Sequence, residues 1–461
     1  MDKSTLHRTI IGDPPHHKAG LQDDWWTQIS PNIWASRGSY LKDQDGSEYL
    51  DLCGFFSTAP VCYDHPLLRD PSFVEAIGKL AIYRPSISDF WIQEMADFID
   101  SFRSLATPLG MDHLFFIDGG SLAVENALKA AFDWKVRRNM AKGIIQGDPQ
   151  EEKRPLGTNL IHFESAFHGR SGYTLSLTHT VDARKYKYFP KFDWFRINPP
   201  VMTFDNQGRV TNADQIRQQH DLAVREMEKI LTKQGDDVAA IIIEPIQCEG
   251  GDRHIPTDFF VQLRKLADEH DVILIYDEVQ TGFGTTGKMW CHEYFGQDAK
   301  PDVIIFSKKA QVGGIMASYD RFSSVDGNVF GNGDASKSRL NSTWGGNPVD
   351  MLRCTQFLRI IDEDHLLDNA QNTGQYFLDS IRDLCRQFDH LITNPRGRGM
   401  LLAFDACEPS MQGTIWEAFR KERLLSLTCG DRTVRFRPHL DLTRNEISDA
   451  LERMSRALSS L

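Results

Sequence analysis

The sequence lacks the usual marks of metal binding, disulfide stapling and membrane insertion. Its eight cysteines (Cys53, Cys62, Cys248, Cys291, Cys354, Cys385, Cys407 and Cys429) form no C-x-x-C pair and no Cys/His ligand spacing. They read as reduced thiols of a cytoplasmic protein rather than a zinc site or a disulfide framework. No apolar run approaches the roughly 20 residues that a membrane-spanning helix needs. The opening residues, MDKSTLHRTIIGDPPHHKAG, contain no apolar core of a secretion signal, and His16-His17 lack a third ligand nearby. Basic charge is in deficit, with 64 acidic residues against 52 Lys and Arg and a formal net charge of -12. That balance argues against a nucleic-acid partner. What remains is ordinary globular composition over 461 residues, 41% hydrophobic and 25% charged, long enough for two or three domains and suited to small-molecule chemistry.

The middle of the chain repeats one theme, a short apolar run that ends in a polar or Gly-containing corner. The runs are HLFFIDGG before SLAVENALKAAFDWK, NLIHFESAFHG, VAAIIIEP, VILIYDE and DVIIFSKK. Continuous apolar strands belong to parallel sheets buried on both faces, and ligands gather beyond their carboxyl ends. The expected class is therefore α/β, with a large domain over 86–345. Residues 1–85 hold the Trp25-Trp26 pair and an alternating SYLKDQDGSEYLDL that reads as a hairpin. Residues 346–461 turn helical and then form short strands, GMLLAFD and TVRFRP, before a last helix.

Residues 276–288, YDEVQTGFGTTGK, admit three readings. Gly282, Gly284 and Gly287 fit a dinucleotide G-x-G-x-x-G, but Asp277 and Glu278 precede them and would repel a pyrophosphate. Gly282 to Lys288 has P-loop spacing, but Met289 replaces the hydroxyl that should hold magnesium. The third reading makes Asp277 an acid that an apolar strand delivers into a pocket, where a buried carboxylate requires a cation.

A protonated pyridine nitrogen is such a cation, and pyridoxal phosphate also needs an imine-forming lysine, a phosphate cup and a partner for its ring face. VIIFSKK brings Lys308 and Lys309 to a strand end, where desolvation lowers an amine's pKa. IDGGSLAVENALK puts Gly119, Gly120 and Ser121 at a helix start, where free N–H groups and the dipole favour phosphate. ESAFHGRSGY supplies Phe167 as a stacking ring and Arg170 as a carboxylate fork, with His168 as a packing or supporting residue. Singly, each has a plainer explanation: a turn, a core aromatic, a surface ion pair or a solvated edge. Four complementary groups at the ends of successive strands point instead to one pocket.

The blocks AVENALKAAFDW, FHGRSGYTLSLT, IIIEPIQCEGGDRHIP, YDEVQTGFGTTGKMW, FSKKAQVGG and NSTWGGNP resemble the class III (ornithine/4-aminobutyrate type) aminotransferases of the fold-type I pyridoxal-phosphate enzymes. The resemblance covers most of the chain. It implies a mostly parallel seven-stranded sheet, a smaller α+β domain built from both chain ends, and pyridoxal 5'-phosphate as cofactor. It assigns Lys309 as the imine-forming lysine, counted from a K-x-x-x-G-G pattern, and Asp277 as partner of the pyridine nitrogen. Gln280 falls near the ring hydroxyl, Phe167 on the ring face, and Gly120 and Ser121 in the phosphate cup. Thr343 would reach the phosphate of the other subunit, which implies a homodimer with shared sites. Ser121 and Cys248 depart from the family's commoner residues, both by small side chains.

Within the class, FPKFDWFRI, SKKAQVGGIMA, SRLNSTWGGN and VRFRP resemble the members that use the terminal amine of L-lysine. The implied reaction carries that amine to 2-oxoglutarate, giving 2-aminoadipate 6-semialdehyde, which cyclises, and L-glutamate. Ornithine and 4-aminobutyrate are the alternative donors. The resemblance gives Arg170 the distal carboxylate and Arg435 the carboxylate beside the reacting keto group, with Glu249 covering Arg435 while lysine is bound. A static Glu249–Arg435 pair is the alternative to that switch. A non-catalytic ligand-binding protein and an ATPase resting on GFGTTGK are the competing classes.

Overall fold

The computed structural model describes residues 29–149, 154–331 and 338–461; the Trp25-Trp26 and His16-His17 pairs lie outside these residues. Seven strands build the central sheet: β1 His113–Ile117, β2 Asn159–Phe163, β3 Phe195–Ile197, β4 Val238–Ile243, β5 Ile273–Asp277, β6 Val303–Phe306 and β7 Gly313–Ala317. Their spatial order is β1-β7-β6-β5-β4-β2-β3. Neighbours from β6 across to β3 pair in parallel, and β7 runs antiparallel to both β6 and β1. The five apolar runs of the sequence are five of these strands. The other two, three-residue β3 and Gly-led β7, carry no long apolar run.

Every residue of β4, β5 and β6 is buried, because helices cover both faces of the sheet. Alternation decides which face each side chain serves. Ile242, Ile275 and Ile305 pack with Ala123, Ala127, Ala130, Ala131 and Trp134 of helix α1, Gly120–Ala141. Ile241, Ile243 and Leu274 pack on the opposite face against Met227 of α2, Ala213–Gln234, and Phe259 and Phe260 of α3, Thr257–Glu269. Each such aliphatic or aromatic side chain contributes roughly 1.5–3 kcal/mol when removed from water. The alanines on α1 let the helix lie close to the sheet.

Both chain ends build the smaller part. Tyr40–Lys42 and Glu48–Asp51 form the expected hairpin, and Leu424–Leu425 joins it in parallel. Ile392–Arg398, Leu401–Ala406, Thr433–Phe436 and Leu427–Cys429 form an antiparallel four-stranded sheet. One apolar cluster runs from Phe98 and Phe306 through Met351 and Phe377 to Phe404 and Phe436. That shared core holds the Thr433–Phe436 strand against the large sheet and brings its arginines to the carboxyl ends of the parallel strands. No helix among the described residues is long and apolar enough to cross a membrane.

Candidate active site

Asp277, the last residue of β5, is 4% exposed. Its Oδ2 accepts a hydrogen bond from His168 Nδ1 at 2.7 Å, and Oδ1 accepts from the Val279 N–H at 3.1 Å. Burial pushes His168 toward the neutral form, but the hydrogen bond and charge of Asp277 outweigh it and raise the imidazole above its ordinary pKa. Asp277 is thus an acid braced from behind. Beyond β4, the buried Glu244 accepts from the backbone N–H groups of Phe167 and Cys248. Desolvation pushes its carboxyl up to about 7, with the charge of Asp277 adding to the effect and His168 opposing it.

Glu278 does not share the pocket. It accepts from the Cys291 and His292 N–H groups, from His292 Nδ1 and from Thr281 Oγ1. It pins the glycine loop back onto the body of the domain. The loop's glycines are steric: a Cβ on Gly282 would lie 2.5 Å from the Trp290 ring, and Gly284 and Gly287 have φ of 83° and 87°. Lys288 lies over the Tyr294 ring.

Gly119, with φ 85°, ends the turn into α1, whose 22 residues begin at Gly120 with no side-chain cap. The N–H groups of its first turn, Gly120 and Ser121 included, have no intrahelical acceptor and form an anion-binding end. Ser121 Oγ accepts from the Arg170 N–H at 3.3 Å, which ties this end to the segment carrying Phe167 and Arg170. Phe167 is half-buried beside Asp277's partner His168, with the Arg170 guanidinium 6.0 Å and the Lys185 amine 5.9 Å from its ring centre.

The two lysines at the end of β6 part company: the count from the glycines selects Lys309, whereas the charges around the two amines favour Lys308. Lys309 is 1% exposed, and its Nζ donates to the carbonyls of Ala59 at 3.0 Å and Pro438 at 3.2 Å. The charges that act on it are those of Arg437, Asp51 and Asp441. Lys308 is half-buried, and its amine feels Cys248, Arg435, Asp277 and Glu249. Burial depresses both amines, Lys309 to about 7, so acidity does not choose between them and position does. Both lysines lie in a turn with two left-handed residues, Lys308 (φ 50°) and Gln311 (φ 64°). Of the two amines, Lys308 is the one on which the Asp277 charge acts.

Opposite this lysine, Arg435 donates to Glu249 Oε2 at 2.6 Å, and Lys185 closes on the other oxygen, Oε1. Burial raises the Glu249 carboxyl, but Arg435 and then Lys185 overcome it and hold the pKa at about 2. Arg435 and Arg437 lie two residues apart at the end of one strand and share a face. Both guanidinium groups reach Gln280 Oε1, at 3.5 Å and 3.0 Å, and Arg437 pairs with the buried Asp252. Because guanidinium only donates, the Gln280 amide must turn its oxygen to the arginines and its NH2 away from them. Arg170 is exposed, and among the described residues its guanidinium has no carboxylate partner. Thr343 is also exposed; its carbonyl accepts from Ser86 Oγ at 2.6 Å, and no contact joins its hydroxyl to the other site residues within the chain.

His168, Glu244, Lys185 and Arg437 complete the arrangement. The signal for Arg437 was its spacing from Arg435, and for Glu244 its strand-end position. Lys185, in the turn Ala183–Lys185, had none. A buried acid on a histidine, an uncapped helix end, an aromatic face and a desolvated lysine form a donor set that fits pyridoxal phosphate. Asp277 would take the ring nitrogen, Gln280 the ring oxygen, Phe167 the ring face, Gly120 and Ser121 the phosphate, and Lys308 the aldehyde carbon.

Comparison with known proteins gives the same direction. Residues 22–458 match the family described as aminotransferase class III. The L-lysine-epsilon aminotransferase of Mycobacterium bovis is 41% identical over 432 residues, covering 93% of this chain and 91% of that one. Human mitochondrial 4-aminobutyrate aminotransferase is 33% identical, over 91% and 84% of the two chains. A lysine aminotransferase from M. tuberculosis, solved in its internal aldimine form, superposes with a TM-score of 0.89 at 37% identity and full coverage of both chains.

Proposed function

This chain belongs to the class III aminotransferase family, and on that premise we propose that it moves the terminal (ε) amino group of L-lysine to 2-oxoglutarate. The products are 2-aminoadipate 6-semialdehyde, which cyclises to piperideine-6-carboxylate, and L-glutamate. The observation that carries this reading is an arginine covered by a carboxylate, Arg435 under Glu249, together with a second arginine, Arg170 by the Phe167 ring, that is open. 2-Oxoglutarate has a carboxylate at each end and calls for two cations. A lysine reacting through its ε-amine brings one carboxylate, far from the reacting carbon, and would leave the nearer cation uncompensated. Arg170 takes the distal carboxylate of either substrate. Glu249 neutralises Arg435 for lysine and gives way to the oxo acid.

The cofactor is pyridoxal 5'-phosphate, which when bound supplies a protonated ring able to accept the electron pair left on a deprotonated substrate carbon. Asp277, fixed by His168, keeps the proton on the ring nitrogen by offering it a buried negative charge. Lys308, which would hold the cofactor's aldehyde carbon, would also serve as the base that takes a proton from the substrate carbon and gives it back. Burial depresses its amine, which favours the neutral form that a base requires. Glu249, Arg435 and Arg170 orient the substrate.

The chain acts as a homodimer in which Thr343 reaches the partner's phosphate. Support comes from its exposure and from the exposed Tyr83, Phe90, Trp91 and Trp344 on nearby segments. Eight free cysteines support a reducing, cytoplasmic setting. A donor panel of L-lysine, L-ornithine and 4-aminobutyrate with 2-oxoglutarate, scored by glutamate formed, tests the substrate. Lysine is expected to turn over fastest; absence of lysine turnover alongside an active second donor would sink the lysine assignment and keep the family.

A further inference from the structure

Glu249 has two cations, and the proposed exchange of substrates uses one of them. Arg435 binds Oε2 from a strand of the small domain, whereas Lys185 binds Oε1 from a separate turn, Ala183–Lys185, after the Phe167–Arg170 segment. The three side chains differ in access: Arg435 is 5% exposed, Lys185 16% and Glu249 21%. The carboxylate therefore sits at the rim, with the arginine beneath it and the lysine beside it.

When Glu249 leaves Arg435, it must take its charge somewhere, and a partly buried carboxylate without a partner is costly. We propose that Lys185 is the positioning residue that receives Glu249, holding the carboxylate by Oε1 while Oε2 releases Arg435 for the oxo acid. The inference rests on the reading of Glu249 as a moving cover. Lys185 can follow or anchor the swing because it is carried by neither the Glu249 loop nor the Arg435 strand.

The contribution of Lys185 is unequal in the two arrangements. With Glu249 on Arg435, loss of Lys185 leaves the carboxylate in a 2.6 Å ion pair. With Glu249 swung out, loss of Lys185 leaves it alone. Removing the lysine thus favours the covered arrangement and penalises dicarboxylates. Lys185 also lies 5.9 Å from the Phe167 ring centre, a distance close to that of Arg170 at 6.0 Å, so direct contact with a substrate carboxylate is the competing role.

Glutarate, a dicarboxylate that cannot react, separates these roles when its binding to the pyridoxal-phosphate-loaded enzyme is measured by titration calorimetry. Lys185→Met is expected to weaken glutarate binding about tenfold, the scale of one lost charge contact. Glu249→Ala is expected to tighten it, and Lys185→Met placed in the Glu249→Ala background is expected to change nothing further. Lys185→Arg should restore binding, which excludes a folding defect. In turnover, Lys185→Met should raise the KM for 2-oxoglutarate more than it alters the lysine half-reaction. Equal weakening in both backgrounds would mean that Lys185 touches the dicarboxylate itself, and no weakening in the parent would mean that it does nothing; either overturns the proposal. Glutarate binding unchanged by Glu249→Ala would instead overturn the moving cover, a failure distinguishable from that of Lys185 alone.

Discussion

Lys308 and Lys309 are adjacent, both are depressed by burial, and they face different chemistry. Lys308→Ala is expected to abolish the visible absorption of the bound cofactor together with turnover. Lys309→Met should keep both and cost roughly 1–3 kcal/mol in urea unfolding, because it leaves buried carbonyls without a donor. The opposite pattern would return the role to Lys309. Two acids near the site carry opposite pH signatures. The carboxyl of Glu244 is raised to about 7, so the folded chain holds a proton that the unfolded chain has lost. Stability therefore falls as pH rises from the ordinary carboxylate range through about 7. Denaturation at several pH values should show Glu244→Gln gaining on the parent protein across that window. Glu249 is held at about 2, so its contribution is present above the ordinary carboxylate range and is lost only as pH falls toward 2. At neutral pH Glu249 stays ionised, so the proposed cover would answer to ligands and not to protons.

Elements act here through their ends. Strand β5 ends in Asp277, and β2, β4 and β6 are followed at the same edge by Glu164, Glu244 and Ser307, where α1 begins with an uncapped turn. Gly120 has little room: a Cβ would lie 3.0 Å from Val279 Cγ1, and Val279 follows the strand that carries Asp277. Gly120→Ala should weaken cofactor binding by pushing the helix end and the acid apart, read as faster loss of pyridoxal phosphate in dialysis. In the loop that resembles a nucleotide-binding turn, Gly282→Ala would drive a methyl into Trp290 and cost about 1–3 kcal/mol, as overpacking does. Lys288→Ala should leave aminotransfer intact. Loss of activity there would reopen the phosphate reading of GFGTTGK.

At the scale of the whole molecule, the proposed dimer would join the site to a second copy. Lys308→Ala and Thr343→Ala chains, each impaired alone, should recover activity when mixed under conditions of subunit exchange. One site of the mixed dimer then has Lys308 from one chain and Thr343 from the other. No recovery in verified mixed dimers would mean that Thr343 does not act across the interface. Much of the single-chain architecture was legible beforehand, since buried parallel strands write themselves as apolar runs and VILIYDE needs no distant partner to reveal an acid at its end. β3 and β7 were not legible as strands, because three residues, or a pair of glycines, carry too little pattern.

The sequence by itself determined the class of chemistry: a strand-end Asp277, a glycine-led helix, Phe167 next to Arg170, and a lysine pair are local features that survive without a fold. Only the tertiary structure separates the surroundings of the two lysines, because they lie in a turn with left-handed residues and no spacing rule records a dihedral angle. It likewise decided that Glu278 pins a loop while Asp277 faces the pocket, and that Lys185 meets Glu249 across 64 positions of chain. Contacts between segments distant in sequence depend on the packing of whole elements, and that packing is fixed by the shared core rather than by any short stretch.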